Sequence, residues 1–227
     1  MRKKLLVGAL SALASLSLVS VPTAAAWGEY PVVTPGAYLV STAMDANGNP
    51  KICTAGFVVR TPDGAPHVLT AGHCRQDPNN STVLQRAPNS DTYVGQYTRW
   101  VVNRHVRNMA LVDVAPSSLP LVPALDGRPV VRVMTAEDVR RENPILCKSG
   151  ARTGLSCGPV TDVDENIVSF RAWDEPGDSG SPVYAIQPDN TVAAVGILYA
   201  HSDDAQGRII HATMVAPTMR DWGLSLW

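Results

Sequence analysis

The sequence predicts an all-β chain, folded as two antiparallel β-barrels and closed by a short C-terminal helix. Three observations predict it. Eighteen prolines and 17 glycines among 227 residues punctuate short runs rich in Val, Ile, Thr and Tyr, the way strands and turns alternate along a chain. Apolar residues seldom recur at the three- and four-residue spacing of an amphipathic helix. Pro116, Pro120, Pro123 and Pro129 crowd a poorly periodic stretch that divides the strand signals into two groups.

Taken in order, residues 1–26 read as a secretory signal peptide. Arg2, Lys3 and Lys4 form a basic start, residues 5–21 are apolar, and Ala24-Ala25-Ala26 offers a small-residue cleavage site. Serines interrupt the apolar run and Pro22 ends it, which is short for a bilayer span. No later stretch is long and apolar enough to cross one, so the expected product is secreted and free of the membrane once the leader is removed. Residues 27–118 are expected to form the first barrel, with strands over 52–60, 66–70, 93–101 and 109–114. Residues 119–227 are expected to form the second, with strands over 130–134, 145–149, 158–163, 167–173, 181–186, 191–199 and 209–215. Pro217 precedes the helix expected over 218–224. No internal repeat supports the division independently. The chain carries 19 basic and 20 acidic residues, and three of the basic ones lie in the leader. A mildly acidic chain with no long basic run gives no reason to expect a nucleic-acid partner.

One stretch organises the rest: Glu175-Pro176-Gly177-Asp178-Ser179-Gly180-Ser181-Pro182. A serine hydroxyl becomes a nucleophile when a base takes its proton and its oxyanion product is stabilised. Gly177 leaves the backbone free to take φ > 0, so that the N–H groups of Gly177 and Ser179 can converge as an oxyanion hole. About a hundred residues upstream, Thr70-Ala71-Gly72-His73-Cys74 ends an apolar run with a histidine.

In that order, Thr-Ala-Gly-His-Cys followed by Gly-Asp-Ser-Gly-Ser-Pro resembles the chymotrypsin-like serine peptidases, and among them the bacterial streptogrisin and α-lytic-protease branch. The resemblance covers the chain after the leader. It implies two six-stranded barrels, Ser179 as nucleophile, His73 as general base, and no metal or cofactor. It also implies that Asp178 folds inward onto a cation, for which Arg152 stands nearest. Members of that branch carry a folding pro-region; strand-like sequence beginning soon after Trp27 leaves no room for one here. The four cysteines allow three pairings. Cys147 and Cys157 flank a stretch resembling a disulfide-closed hairpin of the bacterial branch, so the expected bridges are Cys53–Cys74 and Cys147–Cys157, each stabilising its barrel by roughly 3 kcal/mol. A zinc site built from all four lacks the close C-x₂₋₄-C spacing.

The resemblance places an aspartate at the start of the strand after His73, where this chain has Asn108-Met109-Ala110-Leu111-Val112. A carboxylate can only accept a hydrogen bond, so it fixes the histidine tautomer and stabilises the imidazolium. A neutral amide can present its NH₂ instead and favour the wrong tautomer. In a trypsin-type triad the same exchange costs about 10⁴ in kcat, or roughly 5.4 kcal/mol. Asp113 is the nearest substitute, but five residues along a strand put it on the opposite face. The family's Ser-x-Gly on the substrate-binding edge is replaced by Tyr199-Ala200-His201.

Trp173, Tyr199 and His201 are the expected substrate-binding residues. Trp173 points to a shallow apolar pocket, Asp174 or Glu175 to a pocket for a basic side chain, and the sequence leaves the choice open. His67, His105 and His211 read as structural or surface residues, and Arg99, Arg104 and Arg107 as a solvated basic face. Two functions follow. One is a monomeric secreted serine endopeptidase acting on peptides or proteins through Ser179 and His73. The other is a catalytically weak or inactive family member that binds a peptide or protein in the same cleft.

Overall fold

The computed structural model describes residues 32–44, 48–75, 81–86, 91–103 and 105–227; the leader, 1–26, and Arg104 lie outside them. The first half supplies β1 (Tyr38–Met44), β2 (Pro50–Thr54), β3 (Val58–Arg60), β4 (Pro66–Thr70), β5 (Thr82–Arg86), β6 (Asp91–Asn103) and β7 (Arg107–Asp113). They hydrogen-bond in the order β3-β4-β7-β6-β5-β1-β2. The stretch 52–60, expected as one strand, turns a corner at Ala55-Gly56-Phe57 and joins the two ends of this curled sheet. Backbone groups stay satisfied on both sides of the corner. The Ala55 N–H donates to the Ala37 carbonyl at 2.9 Å, the Gly56 N–H to Leu69 at 2.7 Å, and the Phe57 carbonyl accepts from the Leu69 N–H at 2.9 Å. Phe57, Leu69, Met109 and Val112 fill the interior. Strands β1 and β5 were not among the expected ones, although Pro35-Gly36 and Gly48-Asn49-Pro50 flank the first and Pro78 and Pro88 the second.

The second half supplies β8 (Val130–Val133), α1 (Ala136–Glu142), β9 (Ile145–Gly150), β10 (Gly154–Val163), β11 (Ile167–Arg171), β12 (Pro182–Ile186), β13 (Val192–Asp204) and β14 (Gly207–Met214). Strands β9-β10-β11-β14-β13-β12 close on themselves as a six-stranded antiparallel barrel, and β8 adds to β13 in parallel. Leu146, Phe170, Val183, Val195 and Ile210 form its core. Strand β13 runs past the expected end at 199, because its polar tail pairs with β14 as an exposed hairpin, Asp203 opposite Arg208. Helix α1 was not expected from the sequence. Thr135 caps it, accepting from the Asp138 N–H while the Asp138 carboxylate accepts from the Thr135 N–H, and Asn143 ends it in the left-handed conformation.

The chain then returns to the first sheet. Helix α2 (Val215–Trp222) starts earlier than expected, with Pro217 inside its first turn, where the missing N–H would have had no partner anyway. Val215, Met219 and Trp222 pack into the first half's core, and β15 (Ser225–Leu226) pairs with β3. Arg107 pairs with Asp221 at 2.6 Å, and Arg99 lies over the Trp222 ring at 4.8 Å. Arg107, expected in a solvated face, is instead half-buried against α2, whereas Arg99 is exposed and also lies against α2 through the Trp222 ring. Cys53–Cys74 and Cys147–Cys157 are bonded, one bridge in each half.

Gly56 sits where the halves meet. A Cβ there would lie 2.4 Å from the Leu69 carbonyl oxygen and 2.4 Å from Cδ1 of Ile197 on β13, and the backbone contact has nowhere to give. Gly56→Ala is expected to cost about 2–3 kcal/mol, read as a lower urea midpoint at an unchanged slope. An unaltered midpoint would show that the corner is not held by this close approach.

Candidate active site

Strand β4 delivers the chain into a single 3₁₀ turn, Gly72–Cys74, which carries His73. Asn108, second residue of β7, is buried beside it. The Asn108 Oδ1 accepts the His73 backbone N–H at 3.0 Å and lies 3.2 Å from His73 Nδ1. The backbone contact decides which end of the amide faces the histidine. A main-chain N–H only donates, so an NH₂ turned toward it would set donor against donor. Facing a carbonyl oxygen, Nδ1 carries the proton and Nε2 keeps its lone pair, the tautomer a base requires. The sequence pointed to the opposite tautomer; the turn's own backbone reverses that expectation. What Asn108 cannot supply is charge. The Asn108 backbone N–H in turn donates to the buried Thr213 Oγ1 at 3.0 Å. Asp113 stands at the far end of β7, where it accepts from the Ala115 N–H at 2.9 Å.

Ser179 is carried by the loop between β11 and β12 and is partly exposed. Gly177 has φ +112°, a backbone region that L side chains rarely adopt. The N–H groups of Asp178, Gly180 and Ser181 are spent inside the fold, on Glu175, Leu198 and Asp178. Among the described residues, no protein group accepts from the N–H of Gly177 or Ser179. Thr54 fixes the loop from the first half. Its N–H donates to the Ser179 carbonyl at 2.7 Å, and its Oγ1 donates to Gly177 at 2.9 Å while accepting from Ala151 at 3.0 Å. Cys53 precedes Thr54 and Cys74 follows His73, so the Cys53–Cys74 bridge ties the histidine turn to the strand that holds the serine. Cys53, Cys74 and His73 also offer atoms within 4.8 Å of one another. Sulfur atoms joined in a disulfide are not thiolates, which argues against a metal there.

The carboxylate of Asp178 is fully buried and takes donors from the hairpin between β9 and β10. Lys148 Nζ lies 2.8 Å from Oδ2, the N–H groups of Arg152 and Thr153 reach Oδ1 at 2.9 and 3.1 Å, and the Thr153 hydroxyl donates to Oδ2. Burial alone would raise this carboxyl's pKa; the Lys148 and Thr153 bonds outweigh it and hold the pKa below the ordinary carboxylate value. The expected cation, Arg152, contributes only its backbone. Its guanidinium faces outward, 3.7 Å from Glu175, and Lys148, inward-facing on β9, takes its place. Lys148, Thr153, Thr54 and Thr213 are the supporting residues the sequence reading missed. Each lies in an ordinary strand or turn, and only register shows that it points at the loop.

Beyond the loop, Trp173 is exposed and Asp174 buried. Asp174 Oδ2 lies 3.1 Å from His201 Nδ1. Its Oδ1 and carbonyl accept from Arg208 at 3.3 and 2.7 Å, and the same guanidinium lies 4.6 Å over the Trp173 ring. Asp174 is therefore already neutralised, which removes it as the floor of a pocket for a basic side chain. Tyr199 stands at a bulge in the β13–β14 ladder and packs on the first half's core. His211 lies between the hydroxyls of Ser169 and Ser202, at 2.8 and 2.9 Å. Burial and the neighbouring His201 hold its pKa below the ordinary imidazole value. His67 is buried with Nδ1 3.2 Å from the Ala65 carbonyl, and His105 is exposed.

A family model described as a trypsin-like peptidase domain matches residues 53–197. A relative, an uncharacterized protein of Mycobacterium tuberculosis strain H37Rv, is 28% identical over 174 residues, covering 70% of this chain and 72% of its own. Among solved structures, Nocardiopsis protease superposes with a TM-score of 0.61 at 19% identity, over 86% of this chain and 99% of that one. Thermobifida fusca protease A gives 0.60 at 20%, over 86% and 98%. A glutamic-acid-specific serine protease, which uses a histidine triad in substrate binding, gives 0.63 at 21%, over 86% and 100%.

Lys148→Met would leave the Asp178 carboxylate buried without its cation. The expected cost is about 3–5 kcal/mol at neutral pH, measured by denaturant unfolding. Asp178 titrates low in the folded state, so its contribution is present above the unfolded value and lost as pH falls through the folded one. The difference between variant and native protein should therefore shrink below about pH 4. A loss under 1 kcal/mol at pH 7 would mean that Thr153 and the backbone donors suffice.

Proposed function

The chain belongs to the trypsin-like peptidase family, and from that premise we propose that it is a secreted serine endopeptidase with Ser179 as nucleophile and His73 as general base. The family and the fold support a protease acting on peptides or proteins. The observation that carries the finer assignment is the double use of Asn108 Oδ1, which accepts from the His73 backbone and faces Nδ1. Nε2 is thereby left as the acceptor for the Ser179 proton. In the reaction Ser179 Oγ attacks the scissile carbonyl as its proton passes to Nε2. The N–H groups of Gly177 and Ser179 receive the developing oxyanion. The imidazolium then protonates the leaving amine, and water repeats the sequence on the acyl-enzyme with the same base. Two disulfides support a location outside the reducing cytoplasm. Among the described residues, no helix is long and apolar enough to cross a membrane.

A second reading, a cleft that binds peptides with little turnover, is favoured by one feature: no carboxylate faces His73. The imidazolium formed during reaction is stabilised by a neutral acceptor alone, and a charged acceptor is worth about 1–2 kcal/mol more.

A fluorophosphonate probe should modify Ser179 and no other serine, and His73→Ala should abolish the labelling; a label elsewhere, or none, rejects the nucleophile. Asn108→Asp adds charge to a tautomer that is already correct. It should therefore raise kcat/KM by about five- to thirtyfold rather than the full 10⁴ of a tautomer correction. The new carboxylate favours the protonated imidazole, so the acid limb of kcat/KM should move to higher pH by roughly one to two units. A gain near 10⁴ with an unmoved acid limb would show that the native tautomer is wrong.

A further inference from the structure

Two walls leave the Ser179 region side by side. One is the loop from Trp173 to Gly177; the other is β13 beyond Leu198. They are joined at the serine end, where the Gly180 N–H donates to the Leu198 carbonyl at 2.7 Å and the Leu198 N–H to Ser181 at 3.0 Å. They are joined again at the far end, where His201 Nδ1 meets Asp174 Oδ2 at 3.1 Å. Arg208 backs this second junction from β14, bound to the Asp174 carbonyl and carboxylate and to Asp203 at 3.0 Å. The two walls that flank Ser179 on this side are thus bridged at their far end by the protein's own side chains, with His201 still partly exposed.

From this bridge, and resting on Ser179 as the nucleophile, we infer that the subsite for the residue donating the attacked carbonyl takes small side chains: glycine, alanine or serine. The pairing chemistry excludes the other classes in turn. A long apolar side chain would have to push His201 off Asp174 and leave a buried carboxylate short of a donor, an exchange of a charged hydrogen bond for apolar contact. A carboxylate side chain would meet the Asp174 carboxylate, already holding the nearest donors. A basic side chain would compete for Asp174 with Arg208, which is tethered at three points. A short side chain requires none of these displacements. His201 is therefore a specificity-determining residue, acting by occupying space and by holding Asp174.

Peptidyl phosphonates that differ only in the side chain next to phosphorus test this directly, because they report on Ser179 even where turnover is slow. On the native protein, inactivation by the alanine-type reagent should exceed that by the leucine, phenylalanine, glutamate and lysine types at least tenfold. In His201→Gly the alanine-to-phenylalanine ratio should fall at least tenfold. His201→Ala, which keeps strand geometry better, provides the same comparison if the glycine variant melts early. A native preference for any bulky or charged type overturns the inference while leaving Ser179 as nucleophile. So does a ratio unchanged in the folded variants. Absence of labelling by every phosphonate and by a small fluorophosphonate removes the nucleophile itself, and the subsite with it.

Discussion

The buried carboxylate of Asp178 is the constraint on which the site depends. An ionised group without solvent is tolerable only when its lone pairs are filled, and here the filling is done by one hairpin. Lys148 comes from β9, Thr153 and the Arg152 backbone from the turn into β10. Gly150 between them has no side chain, and a Cβ there would lie 2.2 Å from the Asp178 oxygen. The carboxylate thus holds the loop inward at residue 178, between the N–H groups of 177 and 179, from which no described protein group accepts. The Cys147–Cys157 bridge, at directly opposed positions on the same two strands, braces the hairpin. The oxyanion hole proposed for this chain would thus be built on an interior ion pair.

The first half contributes through backbone as much as through side chains. Thr54 grips the loop on both sides of Asp178, and the His73 N–H orients Asn108. Gly56 lets Ile197 of the second barrel approach that corner. Helix α2 and β15 then fasten the end of the chain to the first sheet. The side chains proposed to be catalytic, His73 and Ser179, come from different halves, so their spacing is set by this shared seam.

The all-β class, most strands after residue 90, the terminal helix and the Ser179 and His73 stretches were legible because each has a local signature: punctuated Val and Thr runs, an amphipathic turn ended by Gly223, or glycines around a serine. What was not legible depends on register. Lys148 and Arg152 are both basic residues of one hairpin, and nothing in their spacing says that β9 turns the lysine inward and the turn sends the arginine out. The corner at 55–57 reads as strand because its side chains are those of a strand; only its partners, Ala37 on one side and Leu69 on the other, make it a bend. Helix α1 carried a readable sign, Thr135 and Asp138 three apart, but its apolar periodicity is too short to compete with the strands around it. Asn108 was found by position and misjudged in effect, since the group that orients its amide is a backbone N–H, which no side-chain pattern reveals.

Several charged groups of the loop that carries Ser179 are paired: Asp178 with Lys148, Asp174 with Arg208 and His201, Glu175 with Arg152. On the proposed assignment, the groups that would meet developing charge include neutral dipoles: two main-chain N–H donors and one amide carbonyl behind the histidine. Fixed dipoles cost no reorganisation when charge develops, and in a partly water-excluded site they stabilise it strongly. A carboxylate behind His73 would add charge, yet it would also add a buried anion whose only cationic partner forms transiently during the reaction. Asparagine avoids that penalty in the resting protein and concedes the imidazolium stabilisation in return. The oxygen that accepts from the His73 backbone keeps the tautomer right, so the concession is confined to charge. On the proposed reading, the site pairs a correctly oriented base of modest strength with an oxyanion hole supported from the interior.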